Sequence, residues 1–393
     1  MWNQLYVGYS ENNNSVYVAT ATSTVKAIQD DDPTPFYRID RTTTRADSAA
    51  LNEGLALGYD QLSSYSSANN PQAIALLNSL GYSSVGEFST RYAEPILAVD
   101  ALLGVKYTIV EQAPAGYVAI PEPGDTASAA YGNPYALSIG VAASSDIQNS
   151  TLKSENPFEK QNDLYSKILG REVELYTKIE AASTENGDSL KQWSVTVPAS
   201  SIGYLYINKD ATAGSYWPVA LTIDQRTIKN EAWRFDNNIR QIADASDTPS
   251  QHTVAIGVAE GYTDMPQDNE PVFYTLNLDV FEQIINELKT SEFIPTVFED
   301  GRIEGEYTAK DDGNLLLSVP YDEGWNVTVN GTAAELTPAA DKGLSSLNMQ
   351  KGANRIVMTY KTPGALAGLA VSLATAAVLV AAGLYDRHKK SRR

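Results

Sequence analysis

The sequence predicts an α+β fold with a small N-terminal α/β domain, then one or more β-sandwich domains, then one C-terminal transmembrane helix. Strand and helix patterns alternate over residues 1–125, and period-two patterns dominate from about residue 171 to residue 361. An uncharged stretch precedes the basic C-terminus. We expect five segments: an extracytoplasmic α/β domain (1–125), a connecting segment with an amphipathic helix (126–190), a β-sandwich region (191–362), a transmembrane helix (363–386) and a cytoplasmic basic tail (387–393).

The N-terminal domain is predicted from short, alternating patterns. Runs rich in Val, Ile and Tyr predict strands at residues 15–19, 36–40 and 105–110. Residues 71–81 begin with Pro and end with Gly, as helices commonly do, and residues 98–104 predict a helical turn. This alternation is typical of a small α/β domain.

The following residues predict one amphipathic helix and then many strands. Asn156 is a suitable N-cap, Pro157 suits the first helical position and Gly170 suits the C-terminal end. A second helix is predicted at residues 278–288, and Asn330-Gly331 predicts a two-residue hairpin turn. Short strands favour one or two sandwiches; they are predicted at residues 172–179, 193–197, 204–207, 219–223, 254–258, 273–276, 302–308, 315–319, 325–329, 344–349 and 355–360.

The C-terminus predicts a membrane span. Residues 364–385 carry no charge, and 22 helical residues extend about 33 Å, which is enough to cross a bilayer. The tail from Asp386 carries five bases and one acid, a net charge of +4, so the preceding residues carry −23 to give the chain's total of −19. Basic residues beside a span mark the cytoplasmic side, so we expect residues 1–362 to lie outside the cell.

The N-terminus does not explain how those residues would be exported. Residues 1–6 lack a basic start, and the chain soon turns polar, which is not the pattern of a signal peptide. We therefore expect the chain to be the C-terminal piece of a longer polytopic protein. Gly364 and Gly368 have the spacing that lets helices approach closely in a bundle, although an Ala-rich codon bias also explains the composition of the span.

Composition excludes several classes of function. The chain of 393 residues has 48 acidic and 29 basic residues, a balance that argues against nucleic-acid binding. The absence of cysteine excludes disulfides, zinc–thiolate sites, iron–sulfur clusters and cysteine nucleophiles. His252 and His388 are the only histidines, which disfavours a histidine-rich metal site or a histidine-based triad. We expect no metal and no cofactor.

Several stretches together resemble the outer, C-terminal half of YfhO-family bacterial membrane proteins. Their order covers nearly the whole chain, although each motif alone is weak. Many relatives have Asp-Gly in the turn after the tryptophan, where this chain has Asn330-Gly331 and keeps the hairpin. The stretches are residues 36–40, 58–67, 103–109, 133–140, 156–162 and 315–331, followed by the closing span.

The resemblance implies a multi-span glycosyltransferase of the GT-C type, which takes a sugar from a polyprenyl-phosphate carrier. Family members decorate surface polymers such as lipoteichoic acid. Their catalytic acidic residue lies on an early outer loop between N-terminal spans, and this chain has no counterpart of that loop. We therefore assign no catalytic residue and expect the isolated chain to be inactive. Its expected partners are the remaining transmembrane helices, the sugar donor and the surface glycopolymer.

Acidic pairs offer no stronger case for catalysis within the chain. Asp31-Asp32, Asp311-Asp312 and Asp322-Glu323 lie beside Pro or Gly, which is typical of solvated turns. Glycosidases need two carboxylates about 5–9 Å apart in a cleft, a geometry that sequence does not reveal. Residues 299–304 lack the oxygen spacing of an EF-hand.

Six residues are candidates for binding substrate. Arg38 lies in an apolar strand, where it either makes a structural ion pair or holds an anionic acceptor or lipid phosphate. Tyr59, Tyr65, Ser66 and Ser67 form a polar, aromatic loop that either contacts sugar hydroxyls or is a turn packed on the domain. Trp325 begins a strand, where we expect it to be buried against Leu316 rather than to form a sugar platform.

Two classes of function remain open. The first is the extracytoplasmic accessory region of a membrane glycosyltransferase whose catalytic half is absent from this chain. The second is a membrane-anchored carbohydrate-binding or adhesion module without enzymatic activity. Upstream sequence distinguishes them, since a run of hydrophobic spans favours the first and a signal peptide favours the second.

Overall fold

The computed structural model describes residues 11–42, 49–121, 129–185, 190–207, 217–233, 238–258, 260–261 and 270–392. In these ranges the α-helices are α1 (Glu11–Asp31), α2 (Glu53–Leu57), α3 (Pro71–Ser79), α4 (Leu97–Leu102), α5 (Pro157–Leu169), α6 (Leu278–Lys289) and α7 (Ala365–Ser391). The first thirteen strands are β1 (Arg38–Arg41), β2 (Ser64–Tyr65), β3 (Ser83–Val85), β4 (Ser89–Arg91), β5 (Val105–Val110), β6 (Val118–Ala119), β7 (Ala129–Gly132), β8 (Gly140–Ala143), β9 (Tyr176–Ile179), β10 (Ala181–Glu185), β11 (Leu190–Val197), β12 (Ser201–Ile207) and β13 (Trp217–Ile223). The others are β14 (Arg226–Trp233), β15 (Asn238–Ala243), β16 (Ser250–Val258), β17 (Val272–Asn277), β18 (Glu292–Phe293), β19 (Val297–Glu299), β20 (Arg302–Ala309), β21 (Gly313–Leu317), β22 (Trp325–Val329), β23 (Thr332–Ala334), β24 (Leu336–Ala339), β25 (Leu344–Met349) and β26 (Gly352–Tyr360).

The mixed α+β class predicted from the sequence is confirmed. The N-terminal part contains a four-stranded sheet in the order β1-β5-β7-β6, in which β1 and β5 run parallel. Helix α1 packs on this sheet. A three-stranded sheet in the order β2-β4-β3 is formed by the strands that lie between β1 and β5 in the sequence. The predicted helix at residues 71–81 is confirmed as α3, whose N-cap Asn70 accepts hydrogen bonds from two backbone N–H groups.

The strand predicted at residues 15–19 is wrong, because these residues belong to α1. The β-branched run favoured a strand locally, but Ala21, Val25 and Ile28 recur at helical spacing farther along. All three are buried, and Val25 and Ile28 pack in one cluster with Ile39 and Ile109 of the sheet. Burial of this helical face therefore outweighs the local preference of the run.

Two β-sandwiches follow, as the spacing of the strands predicted. The sheets of the first have the orders β10-β11-β16-β13-β14 and β15-β12-β17-β9, and both contribute to one apolar core. The sheets of the second have the orders β18-β8-β21-β25-β24 and β19-β20-β26-β22-β23, and they share a second core. Strand β8, from far upstream in the chain, pairs with β21.

The largest apolar cluster joins these parts. It takes side chains from α3, α4, α5 and α6 and from strands of the first sandwich. Helix α5 begins as predicted, since the Asn156 side chain accepts from the N–H groups of Phe158 and Glu159 and Gly170 ends the helix in the left-handed region.

The last strand leads directly to the apolar helix. Asn330 and Gly331 have φ values of 53° and 78°, which is the geometry of the predicted hairpin turn between β22 and β23. Strand β26 ends at Tyr360 and α7 begins at Ala365. Residues Ala365–Tyr385 of α7 are long and apolar enough to cross a membrane, and none of this stretch is buried against the rest of the chain.

Candidate functional site

A cleft between α1 and the N-terminal sheet is the main candidate site. Its volume is about 620 Å³. Apolar side chains such as Ile28 and Ile120 line much of it, while Asp31, Lys106 and Tyr107 bring charge and hydrogen-bonding groups. The remaining lining residues are Thr24, Ala27, Val118, Ala119, Pro121, Ala130, Gly132, Asn133 and Pro134. The mixture of apolar walls and a few polar groups is typical of a small-molecule site.

A hydrogen-bonded carboxylate lies beside this cleft. Asp32 Oδ2 accepts from Lys106 Nζ at 2.6 Å and from the Tyr107 hydroxyl at 2.9 Å. Burial alone would raise the pKa of Asp32, but hydrogen bonds from Lys106, Thr34 and Tyr107 bring it below its ordinary value. Asp32 is therefore a charged acceptor at neutral pH rather than a general acid.

Aromatic rings surround the lysine. The rings of Tyr37 and Tyr107 meet edge to face with their centroids 5.2 Å apart. Lys106 Nζ lies 5.8 Å from the centroid of Tyr37 and 5.7 Å from that of Tyr107. Burial, aided by the charge of Asp32, raises the pKa of Tyr37 to about 12. The cleft thus presents the phenol ring of Tyr107, the ammonium group of Lys106 and the carboxylate of Asp31, which suit the binding of a polyhydroxylated ligand.

Arg38 connects two parts of the fold. Its guanidinium donates to the carbonyl oxygen of Leu103, to the Ser318 carbonyl at 2.8 Å and to Ser318 Oγ at 3.3 Å. Burial lowers its pKa to about 10, while the charges of Asp60 and Asp40 oppose that shift. These bonds tie β1 to the end of β21, so the geometry favours a structural role, although its partners are mainly carbonyls rather than the expected carboxylate.

The predicted loop residues lie in two places. Tyr59 packs beside Tyr37 and Tyr107 against the cluster under α1. Tyr65 lies on β2 with 56% of its surface exposed, and Ser67 is exposed. Ser66 belongs to a turn, since its N–H donates to Phe88 O at 2.9 Å and its Oγ accepts from Ala68 N–H.

Trp325 differs from the expectation of a buried contact with Leu316. It is only half-buried, and its ring packs edge to face on Tyr360 with centroids 5.3 Å apart. Leu316 belongs to the large central cluster, whereas Trp325 packs at the margin of the second sandwich core. Trp325 shares a face with the buried Val327, but as the first residue of β22 it packs at the end of the sandwich rather than in its middle.

Sequence reasoning missed the residues of the cleft. Asp31 and Asp32 look like a solvated turn, and Lys106 and Tyr107 look like ordinary strand positions. Recognition of α1 would have placed the acidic pair at the C-terminal end of a helix that packs on β5. The helical spacing of Ala21, Val25 and Ile28 is the pattern that could have found it.

A serine, a histidine and an aspartate are hydrogen-bonded in series on the first sandwich. His252 Nδ1 lies 2.7 Å from Asp224 Oδ2, and His252 Nε2 lies 2.8 Å from Ser250 Oγ. This is the order of a catalytic triad, but a triad also needs oxyanion donors and a substrate cleft. The cleft described above is lined by none of the three, and their bonds connect the β13–β14 turn to the start of β16.

Metal ligands are not grouped in the part of the chain that the structure describes. There, no three His, Asp or Glu side chains are placed to hold one ion.

The folded region joins large β-rich domains to one candidate span among the described residues, an arrangement typical of a membrane protein. Residues 6–372 match the family model described as bacterial membrane protein YfhO, and the chain belongs to this family. It is 27% identical over 117 residues to uncharacterized protein YfhO of Bacillus subtilis (strain 168), a match that covers 30% of this chain and only 13% of that protein.

Solved structures give weaker similarity. A conserved protein of unknown function from Pseudomonas aeruginosa PAO1 is 14% identical, with 48% of this chain and 83% of that chain covered and a TM-score of 0.15. A cycloisomaltooligosaccharide glucanotransferase from Paenibacillus sp. is 9% identical, with 46% and 44% covered and a TM-score of 0.16. Scores this low do not establish a shared fold.

Proposed function

We propose that this chain is the extracytoplasmic accessory region and last span of a membrane glycosyltransferase. That enzyme uses polyprenyl-phosphate-linked sugars to decorate cell-surface polymers such as lipoteichoic acid. The observation that carries the proposal is the match to the YfhO family, which runs from residue 6 through both sandwiches into the apolar helix. The catalytic acid and the other spans belong to the part of the enzyme outside this chain.

The cleft under α1 is the proposed contact for the acceptor polymer. Its one lining tyrosine, Tyr107, and its apolar wall offer apolar surface for a sugar ring, and Lys106 and Asp31 offer a donor and an acceptor for hydroxyls. Lys106 is 37% exposed in its side chain, so it retains access to ligand while it is paired with Asp32. Exposed Tyr65 on β2 and exposed Ser67 in the turn after it are a second proposed contact.

A genetic test examines the enzyme as a whole. Deletion of the gene should abolish one sugar modification of the surface glycopolymer, measured by NMR of the purified polymer. If the polymer keeps all its sugars while its binding to cells falls, the chain is an adhesion module and the glycosyltransferase proposal is wrong.

The cleft is tested by Lys106→Ala in the full-length protein. Loss of one charge-assisted hydrogen bond, about 1.5 kcal/mol, should weaken acceptor binding about tenfold in reconstituted membranes. The matched control is Lys351→Ala, which removes an exposed lysine that pairs with Asp311 in the second sandwich. Equal acceptor affinity in both variants would exclude the cleft as the polymer site.

A further inference from the structure

The end of the second sandwich that carries Trp325 lies next to the membrane span. Four residues separate Tyr360, the last residue of β26, from Ala365, the first residue of α7. Even fully extended, this connection spans about 17 Å. The connection is shorter than this limit because it turns, with Ala365 N–H donating to Thr362 O at 3.2 Å. The headgroup region on each side of the hydrocarbon core is about 5–8 Å thick, so the short connection keeps this end of the sandwich near the membrane–water interface.

The connection is held by the sandwich at its first residues. Tyr360 N–H donates to Gly301 O at 2.8 Å, and Lys361 N–H donates to Gly324 O at 2.9 Å. A Cβ on Gly324 would lie 2.7 Å from Lys361 O and 2.5 Å from the Tyr360 ring, so only glycine permits this packing. The turns that contain Gly301 and Gly324 therefore surround the point where the chain leaves for the bilayer.

An aromatic pair lies at the same point. Trp325 and Tyr360 are directly opposite in the β22–β26 pairing, and their rings pack edge to face. Tyr360 is 36% exposed, Trp325 is half-buried and the neighbouring Lys361 is exposed. Trp, Tyr and Lys are the residues enriched where proteins meet the lipid headgroups, since each combines an apolar body with a polar end.

We propose that Trp325 and Tyr360 form an interfacial anchor that holds the second sandwich against the headgroup layer of the bilayer. Asp322 and Glu323 lie in the adjoining turn, so the attraction comes from the aromatic rings rather than from basic charge. The contact should therefore persist when salt is raised.

Lipid quenching of tryptophan fluorescence tests the anchor in the full-length protein reconstituted in liposomes. Lipids brominated close to the headgroup should quench part of the wild-type emission. That quenched part should decrease in Trp325→Phe and be unchanged in Trp193→Phe, since Trp193 is buried in the core of the first sandwich. Unchanged quenching in Trp325→Phe overturns the proposal, as does quenching of the Trp325 emission by aqueous iodide alone.

A depth measurement keeps the proposal testable if Trp325→Phe perturbs folding. Spin labels are placed on Glu323→Cys and Lys351→Cys, in a background without other cysteines. Both residues are exposed, but Lys351 precedes β26 at its opposite end, about 30 Å from Tyr360 along the strand. The label at residue 323 should be accessible to membrane-dissolved oxygen and the label at 351 to a water-soluble relaxation agent. Equal aqueous accessibility at both positions overturns the anchor.

Discussion

At the scale of single residues, Asp100 is the most unusual side chain of the core. It is fully buried on α4, where its carboxylate accepts hydrogen bonds from the hydroxyls of Tyr82, Tyr92 and Tyr117 and from the N–H of Ile96. Burial raises its pKa from 3.8 to about 7, although the tyrosine hydrogen bonds oppose that shift. One carboxyl thus holds three tyrosine rings in place by hydrogen bonds within and beside the largest apolar cluster.

This carboxyl should make folding stability depend on pH. Because its pKa is higher in the folded state, the folded protein holds a proton that the unfolded chain has released between about pH 4 and pH 7. The contribution of Asp100 to the free energy of unfolding should therefore fall as pH rises through this range, by a few kcal/mol, and then stay constant. Thermal melting of wild type and Asp100→Asn in detergent should show a difference that changes over this range only.

The matched control is Asp247→Asn, which alters an exposed carboxyl in a loop of the first sandwich. Its difference from wild type should stay nearly constant between pH 4 and pH 7. A constant difference for Asp100→Asn as well would mean that the buried carboxyl does not titrate in this range.

Residue roles were only partly predictable from the sequence. The position of Arg38 in an apolar strand predicted that its charged group would have a partner. The partners, at Leu103 and Ser318, come from distant parts of the chain. The position of Trp325 at a strand start predicted that its ring would pack against the sandwich core. The ring instead packs on Tyr360, at the end of another strand. Such contacts depend on how strands pair over long range, which local patterns do not encode.

At the scale of elements, capped helices and tight turns were the most predictable features. Asn-Pro at the start of α3 and α5 supplied both the cap and the first helical residue, so these helices began where the sequence placed them. Helix α1 was missed because it lacks such a start in the described range and contains β-branched residues that favour strands.

Substitution of two glycines that connect strands should lower stability for two different physical reasons. Gly331 has φ of 78° and open space where the methyl group of an alanine would lie, so Gly331→Ala should cost about 1 kcal/mol through backbone strain alone. Gly343 has no such φ, but its Cβ would lie 2.5 Å from Leu76 of α3. Gly343→Ala should therefore cost more, about 1–3 kcal/mol, through overpacking. Thermal melting of both variants measures the costs.

A double-mutant cycle with Leu76→Ala separates the causes. Leu76→Ala removes Cγ and Cδ2, which would lie 3.0 and 2.5 Å from the added methyl group, but keeps Cβ at 2.5 Å. It should therefore relieve part of the cost of Gly343→Ala and none of the cost of Gly331→Ala. If the effects of Gly343→Ala and Leu76→Ala simply add, the contact with the outer atoms of Leu76 does not limit stability.

At the scale of the whole molecule, the sequence predicted the structural class of each region better than it predicted which distant strands and helices contact each other. Period-two strands indicated sandwiches because alternate residues face one core. Strand β8 joins β21 across more than 160 residues of chain, and the large cluster unites helices as far apart in the chain as α3 and α6. Local sequence patterns do not encode such long-range pairing, which crosses the bounds of the expected segments. The five expected segments therefore stay predictions.

The proposed function requires that residues 1–362 lie outside the cell and that the basic tail lies inside. Because this chain contains no cysteine, single cysteines can report topology once any cysteine elsewhere in the full-length protein is replaced. The direct measurement is labelling of Lys351→Cys and Ser391→Cys in intact cells with a membrane-impermeant maleimide. Lys351→Cys should be labelled at once, and Ser391→Cys only after the membrane is permeabilised. Labelling of Ser391→Cys in intact cells, with Lys351→Cys protected, would contradict the account.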